Sequence, residues 1–208
     1  FLKNSHILVQ NQDDYIFFKK KIWIRKKNLH LNTTSGINLK EYTASKEPKG
    51  KIIFLFASRI LKDKGIMELI QASKKLSKVT KNFELYIAGN IDRQNPSSVS
   101  HEEIKSWEAL DYLKYIGHVN NMNDLYKKIH VSILPSYREG LPKGLLEAAA
   151  CGKPIITTDV TGCRDVVIDG KNGILVNMKD SDELFLAMKK MVQNKKIDWL
   201  WVKKEEIL

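Results

Sequence analysis

The twenty residues Pro135-Ser-Tyr-Arg-Glu-Gly-Leu-Pro-Lys-Gly-Leu-Leu-Glu-Ala-Ala-Ala-Cys-Gly-Lys-Pro154 restrict the fold of this chain more than any other stretch. An apolar, strand-like run from His130 to Leu134 leads into them, and a helix-like run starts near Lys143. Gly and Pro crowd the interval between, so the reading is strand, tight loop, helix N-terminus. The unpaired amides and positive dipole end of such a terminus make a seat for phosphate. Two carboxylates, Glu139 and Glu147, stand here with seven residues between them. Their charge is wrong for phosphate and right for accepting hydrogen bonds from neutral hydroxyls. Amides for phosphate and carboxylates for hydroxyls together describe a nucleotide sugar.

The rest of the chain supplies the frame. The continuous apolar run at 52–57 reads as a strand buried on both faces, and 83–88, 112–116, 131–134, 154–157 and 173–176 read as further strands. Between them, helical periodicity predicts helices at 66–78, 101–110 and 123–128, a short helical turn at 164–168, and a closing helix at 181–193 capped by Asp180 or Ser181. Strands alternating with helices predict an α/β fold, a Rossmann-like parallel sheet of about six strands flanked by helices, with ligands at the carboxyl ends of the strands. Upstream, 6–10 reads as a short strand, 13–21 as a helix opened by Asn11 or Asp13, and 29–35 as a second extended piece. The polar segment 44–51, with Pro48 and Gly50, is a linker.

A net charge of +11 asks for an anionic partner. The excess is mostly Lys spread along the chain, without the aromatic-basic surface pattern of a nucleic-acid binder, so no nucleic-acid partner is expected. Lys19-Lys-Lys-Ile-Trp-Ile-Arg-Lys-Lys27 sets apolar residues between two basic triplets, as a peripheral membrane contact would, although a solvated helix end is the plainer reading. Cys151 and Cys163 lack redox or metal spacing and read as small buried thiols in a reducing cytosol. Arg59 and Lys64, five apart across a tight loop after the first long strand, can set a forked and a point-like cation on one diphosphate.

The central stretch resembles the Glu-x7-Glu signature of retaining glycosyltransferases of the GT-B fold, in particular the glycosyltransferase group 1 family of capsule, O-antigen and other bacterial glycan pathways. Ser-Tyr-Arg-Glu-Gly-Leu-Pro, Leu-Leu-Glu-Ala and Cys-Gly-Lys-Pro-Ile-Ile-Thr-Thr-Asp carry the resemblance, which spans roughly Ile52 to Val192. The resemblance implies that Arg59 and Lys64 neutralise the leaving diphosphate, that Glu139 contacts hydroxyls of the transferred sugar, and that Glu147 accepts from the ribose. Gly140, Leu141, Lys143, Gly144 and Leu145 would offer amides to sugar and β-phosphate. Pro142, where many members have Gly, has no amide to give. Gly117-His118-Val119 would seat the base, and Gly89 would let the backbone approach the ligand, as would Gly162. Ser58 stands where members usually have Gly.

On this resemblance, 1–46 is a remnant of an N-terminal acceptor domain with its linker, 47–194 a nucleotide-sugar-binding domain and 195–208 a tail. Ser35-Gly-Ile-Asn38 matches the loop that follows the acceptor domain in the family. The chain opens on Phe1, and the expectation is a fragment that binds nucleotide and transfers poorly without its missing N-terminal domain. The implied reaction moves a sugar from a UDP-sugar to a glycan or lipid-linked acceptor, with no cofactor and no metal, in the cytoplasm or at the inner face of its membrane. A sugar-nucleotide epimerase and a non-catalytic nucleotide-binding module are the alternatives.

Overall fold

A computed structural model describes residues 4–21, 25–32 and 36–193. Six parallel strands form the main sheet: β3 (Ile52–Ala57), β4 (Phe83–Ala88), β5 (Leu113–Gly117), β6 (Val131–Leu134), β7 (Ile155–Thr158) and β8 (Gly173–Val176), in the order β5-β4-β3-β6-β7-β8. The Rossmann-like sheet expected from the apolar runs is therefore present. Phe54, Leu55 and Phe56 are fully buried in succession, which only a strand covered on both faces allows. The helices α2 (Ile66–Val79), α3 (His101–Glu108), α4 (Met122–Tyr126), α5 (Lys143–Ala150) and α6 (Ser181–Gln193) provide that cover. Ile66, Leu69, Ile70, Ala72 and Leu76 recur at helical spacing and bury one face of α2, which packs against Leu184, Ala187 and Met188 of α6.

The ends of these elements are chemically specified. Ser100 and Glu103 form a reciprocal capping box at α3, and Asp180 caps α6 by accepting from the amides of Asp182 and Glu183. The expected helical turn near 164–168 is present as a single hydrogen-bonded turn, in which the Val166 and Val167 amides both donate to the Cys163 carbonyl.

Upstream lies a small second unit. β1 (Ile7–Val9) and β2 (Leu29–Leu31) pair in parallel, with α1 (Gln12–Lys19) crossing between them over Val9 and Leu29. Asn11 is the cap of α1, its side chain accepting from the Asp14 amide. In the basic cluster, Lys19 lies over the Tyr15 ring and Lys21 over the Phe17 ring, as at a solvated helix end. Residues 22–24 of that cluster, Ser35 of the Gly-Ile-Asn loop and the tail 195–208 lie outside the described residues. Among the described residues no helix is long and apolar enough to cross a membrane.

The linker is tied to the sheet by His130, a buried residue. Its Nδ1 accepts from the Ile53 amide at 3.0 Å, which leaves the proton on Nε2 to donate to the Pro48 carbonyl at 2.9 Å. The neutral ring thus satisfies two backbone groups at once. Lys153, also buried, reaches Ser45 Oγ at 3.3 Å, and burial holds its pKa below the usual lysine value. We predict that His130→Ala, which leaves those two groups unpaired, lowers stability by about 1–3 kcal/mol in urea unfolding.

Candidate functional site

Strand order reverses between β3 and β6, because β4 and β5 follow outward on one side and β7 and β8 on the other. The crevice at the carboxyl ends of these two strands is where an open parallel sheet takes its ligand. The two loops leaving it carry Arg59 and Lys64 after β3, and Pro135 to Gly140 after β6.

The loop after β3 is braced from the side. Ile60 donates to the Asn90 carbonyl, Lys62 to the Ser97 carbonyl, and Ser97 Oγ to Asp63 Oδ2 at 2.7 Å. Gly89 has a local reason to be glycine. Its φ is 140°, and a Cβ there would stand 1.8 Å from the Ser58 carbonyl oxygen, so its close backbone approach is to the neighbouring strand end. Arg59 extends outward and pairs with Asp92 at 3.1 Å, its side chain 60% exposed. Lys64 turns inward and meets Glu139 at 2.6 Å. Both partners are mostly buried, at 16% and 13% exposure of their side chains. Of the residues expected to hold the leaving group and the sugar, these two come together directly.

Three consecutive side chains after β6 are held by three different elements. Tyr137 donates to Glu68 of α2 at 2.7 Å, Arg138 pairs with Asp14 of α1, and Glu139 pairs with Lys64. Burial, with Glu68 beside it, pushes the Tyr137 hydroxyl well above its ordinary pKa and keeps it a donor. The backbone is tied as well, since the Tyr137 amide donates to the Asp63 carbonyl at 2.9 Å and joins the two loops. From the other side Gly162 presses on the same loop. Its φ is 81°, and a Cβ would fall 2.4 Å from the Gly140 carbonyl oxygen and 2.7 Å from that of Glu139.

The helix α5 begins at Pro142, which offers no side-chain cap. Lys143 and Gly144 are its first two helical positions, whose amides have no intrahelical acceptor. Leu145 departs from the expectation of a free amide donor: its N–H already donates to the Pro142 carbonyl at 3.0 Å, closing the first turn. Glu147 is buried and lies 3.6 Å from Lys143, among the rings of Tyr42 and Tyr126. Burial and a hydrogen bond to Glu147 push the Tyr42 hydroxyl up to about 12. Tyr126 Oη donates to the Gly144 carbonyl at 2.8 Å and so fixes the start of α5.

His118 is exposed and Val119 half-buried, following Gly117 at the end of β5. The Gly89 amide donates to the Gly117 carbonyl at 2.7 Å, which places this turn two strand spacings, roughly 10 Å, from the end of β3. Leu141 packs half-buried against the core. Burial raises both thiols, Cys151 and Cys163, to about 11, and neither is poised to react. Sequence reasoning missed Tyr42, Asp92, Arg138, Thr161 and the first turn of α1. Their contacts span long sequence separations, and only the capping pattern at Asn11 gave any local sign.

Residues 40–205 match the model of the family described as Glycosyl transferases group 1. The chain is 30% identical over 142 residues to a capsular polysaccharide biosynthesis glycosyltransferase, CapM, of Staphylococcus aureus, covering 68% of this chain and 37% of that protein. It is 27% identical to an N,N'-diacetylbacillosaminyl-diphospho-undecaprenol alpha-1,3-N-acetylgalactosaminyltransferase of Campylobacter jejuni, over 94% of this chain and 53% of the relative. The chain thus spans between about a third and a half of the length of these curated relatives. Its fold superposes on HepE of Anabaena, solved in complex with UDP and glucose, with a TM-score of 0.77 at 19% identity, over 92% of this chain and 54% of that one.

Gly162→Ala is expected to destabilise the protein by at least about 2 kcal/mol, because a backbone oxygen has to move. Gly170→Ala, with φ of 73° and nothing within 4 Å, should lose only the left-handed preference, about 1 kcal/mol. Equal losses in urea unfolding would show that Gly162 does not press on the Glu139 loop.

Proposed function

The chain belongs to the glycosyl transferases group 1 family, and from that premise we propose that it binds a nucleotide diphosphate sugar at the β3–β6 crevice. The proposed donor is a UDP-sugar, the acceptor a glycan or lipid-linked saccharide of capsule or other polysaccharide assembly, and the outcome retention. The observation that carries this reading is the 2.6 Å pair of Lys64 and Glu139, at the switch point and beside the N-terminus of α5. Within one small volume it offers a cation for phosphate and a carboxylate for sugar hydroxyls.

Lys64 has three donors and gives one to Glu139, leaving two for the diphosphate. The amides of Lys143 and Gly144, at the positive end of α5, add to them. Arg59 has to leave Asp92 to reach the same group. As an exposed ion pair that contact is worth about 0–1 kcal/mol. A charge-assisted bond to phosphate is worth about 1.5–3 kcal/mol, so the exchange runs toward the donor. In this reaction the bond between the anomeric carbon and the β-phosphate oxygen breaks, and the acceptor oxygen attacks from the same face. The leaving phosphate takes the acceptor proton. Charge grows on that phosphate in the transition state, and Lys64, Arg59 and the α5 amides oppose it, which lowers the barrier directly.

Glu139 holds sugar hydroxyls and Glu147 the ribose, while the turn at Gly117, His118 and Val119 borders the base. The diphosphate charge is met by side chains and the helix end, and the proposal includes neither metal nor cofactor. The S. aureus and C. jejuni relatives, by their names, act in capsular polysaccharide biosynthesis and on an undecaprenol-linked saccharide, and they support an acceptor of that class. A peripheral contact of Lys19–Lys21 and Arg25–Lys27 with anionic lipid belongs to the same proposal, and sedimentation with anionic vesicles decides it.

Calorimetric titration with UDP, GDP and ADP tests the nucleotide assignment. UDP is expected to bind tightest, and Arg59→Ala and Glu147→Ala are each expected to weaken it about tenfold, or 1.4 kcal/mol. Tighter binding of GDP or ADP removes the uridine assignment, and unchanged affinity in both variants removes the site.

A further inference from the structure

The residues on either side of Glu139, and the partner of its own amide, all contact one five-residue segment of the N-terminal unit. Asn11, 2% exposed, donates from Nδ2 to the Gly140 carbonyl at 3.3 Å while its Oδ1 caps α1 through the Asp14 amide at 2.8 Å. Asp14 pairs with Arg138 through Oδ1 and accepts from Asn11 through Oδ2. Thr161 Oγ1 donates to Asp13 at 2.8 Å, and the Thr161 carbonyl in turn accepts from the Glu139 amide at 3.4 Å. Gln10 Oε1 lies 2.6 Å from the point where a Cβ on Gly140 would stand, so that side of the loop is filled.

We propose that the first turn of α1 is a positioning element for the donor sugar, with Asn11 and Asp14 clamping Arg138 and Gly140 so that Glu139 is held at its working place. The inference rests on the nucleotide-sugar reading above. An exposed ion pair such as Arg138–Asp14 is a weak tie alone. Here it is one of three ties from the same turn, and Asn11 is buried and bonded on both sides, so the turn and the loop move together. The clamp touches 138–140 and 161. It does not touch the loop at 59–65, the start of α5 or the turn at 117–119, where diphosphate, ribose and base are placed. Because Glu139 is paired with Lys64, the loss reaches the diphosphate only through that pair, and it should be felt more by the sugar than by the nucleotide.

The experiment compares Kd for UDP with Kd for UDP-glucose, UDP-galactose, UDP-N-acetylglucosamine and UDP-N-acetylgalactosamine, on the parent, Asp14→Arg, Arg138→Asp and the double exchange. For the sugar nucleotide that the parent binds best, each single variant should lose about three- to tenfold of the affinity that the sugar adds over UDP, and the exchanged pair should recover most of it. UDP alone should change by a clearly smaller factor than the sugar nucleotide. A parallel loss for UDP and UDP-sugar, or no recovery in the exchanged pair, overturns the clamp.

Hydrogen–deuterium exchange over 136–141 gives a readout that needs no ligand. Faster exchange in the single variants and recovery in the double support the clamp, and unchanged exchange overturns it. If the parent binds none of UDP, GDP and ADP, the functional reading fails, and the exchange measurement alone decides the clamp.

Discussion

The reversal of strand order between β3 and β6 decides where Arg59, Lys64 and Glu139 lie, because it leaves two adjacent strand ends whose loops open one crevice. Backbone contacts then lock these loops to each other, through the Asp63 carbonyl accepting from both the Tyr137 amide and Ser136 Oγ. Lys64 and Glu139 are far apart in sequence, and they face each other because the loops that carry them are joined at this point. Packing sets the depth of the crevice. Fully buried Phe54 and Phe56 in β3, and Ile133 in β6, hold the strand ends rigid beneath it.

Seen as a stabilising contact, the Lys64–Glu139 pair contributes little, since taking both charges largely out of water offsets most of their attraction. Its consequence is chemical. Each charge orients the other in a site that is mostly dry, where interactions with an incoming anion are stronger than in bulk solvent. Arg59 shows the opposite design. It is exposed and loosely paired with Asp92, and is free to rotate toward a ligand at small cost. One fixed and one swinging cation suit a diphosphate that must be bound and then released.

Much of this was legible in the sequence. The continuous apolar run of β3 and the apolar-rich stretches that follow it located all six strands of the main sheet to within about two residues, and in β3 burial of successive residues on both faces leaves no room for polar alternation. Asn11 and Asp180 were readable as caps from their type and place. The Gly- and Pro-rich interval between Glu139 and Glu147 gave the position of the crevice. What escaped is tertiary. Asp14 and Arg138 are ordinary charges until the chain brings them together across 124 positions, and nothing local marks His130 as the anchor of the linker. The reason for Gly89 and Gly162 was also out of reach. Both press on neighbouring backbone, and a lone glycine does not say what approaches it. Leu145 was assigned a free amide because sequence does not reveal that the first turn closes on Pro142.

The central claim is that one crevice holds phosphate on Lys64 next to sugar on Glu139. A crystal structure of the protein grown with UDP-sugar tests it most directly. The account predicts diphosphate oxygens within hydrogen-bond reach of Lys64 Nζ and of the Lys143 or Gly144 amide, with the Glu139 carboxylate on the sugar hydroxyls. Density for the nucleotide elsewhere on the molecule, or in the crevice with Lys64 and Glu139 both out of contact, would contradict it.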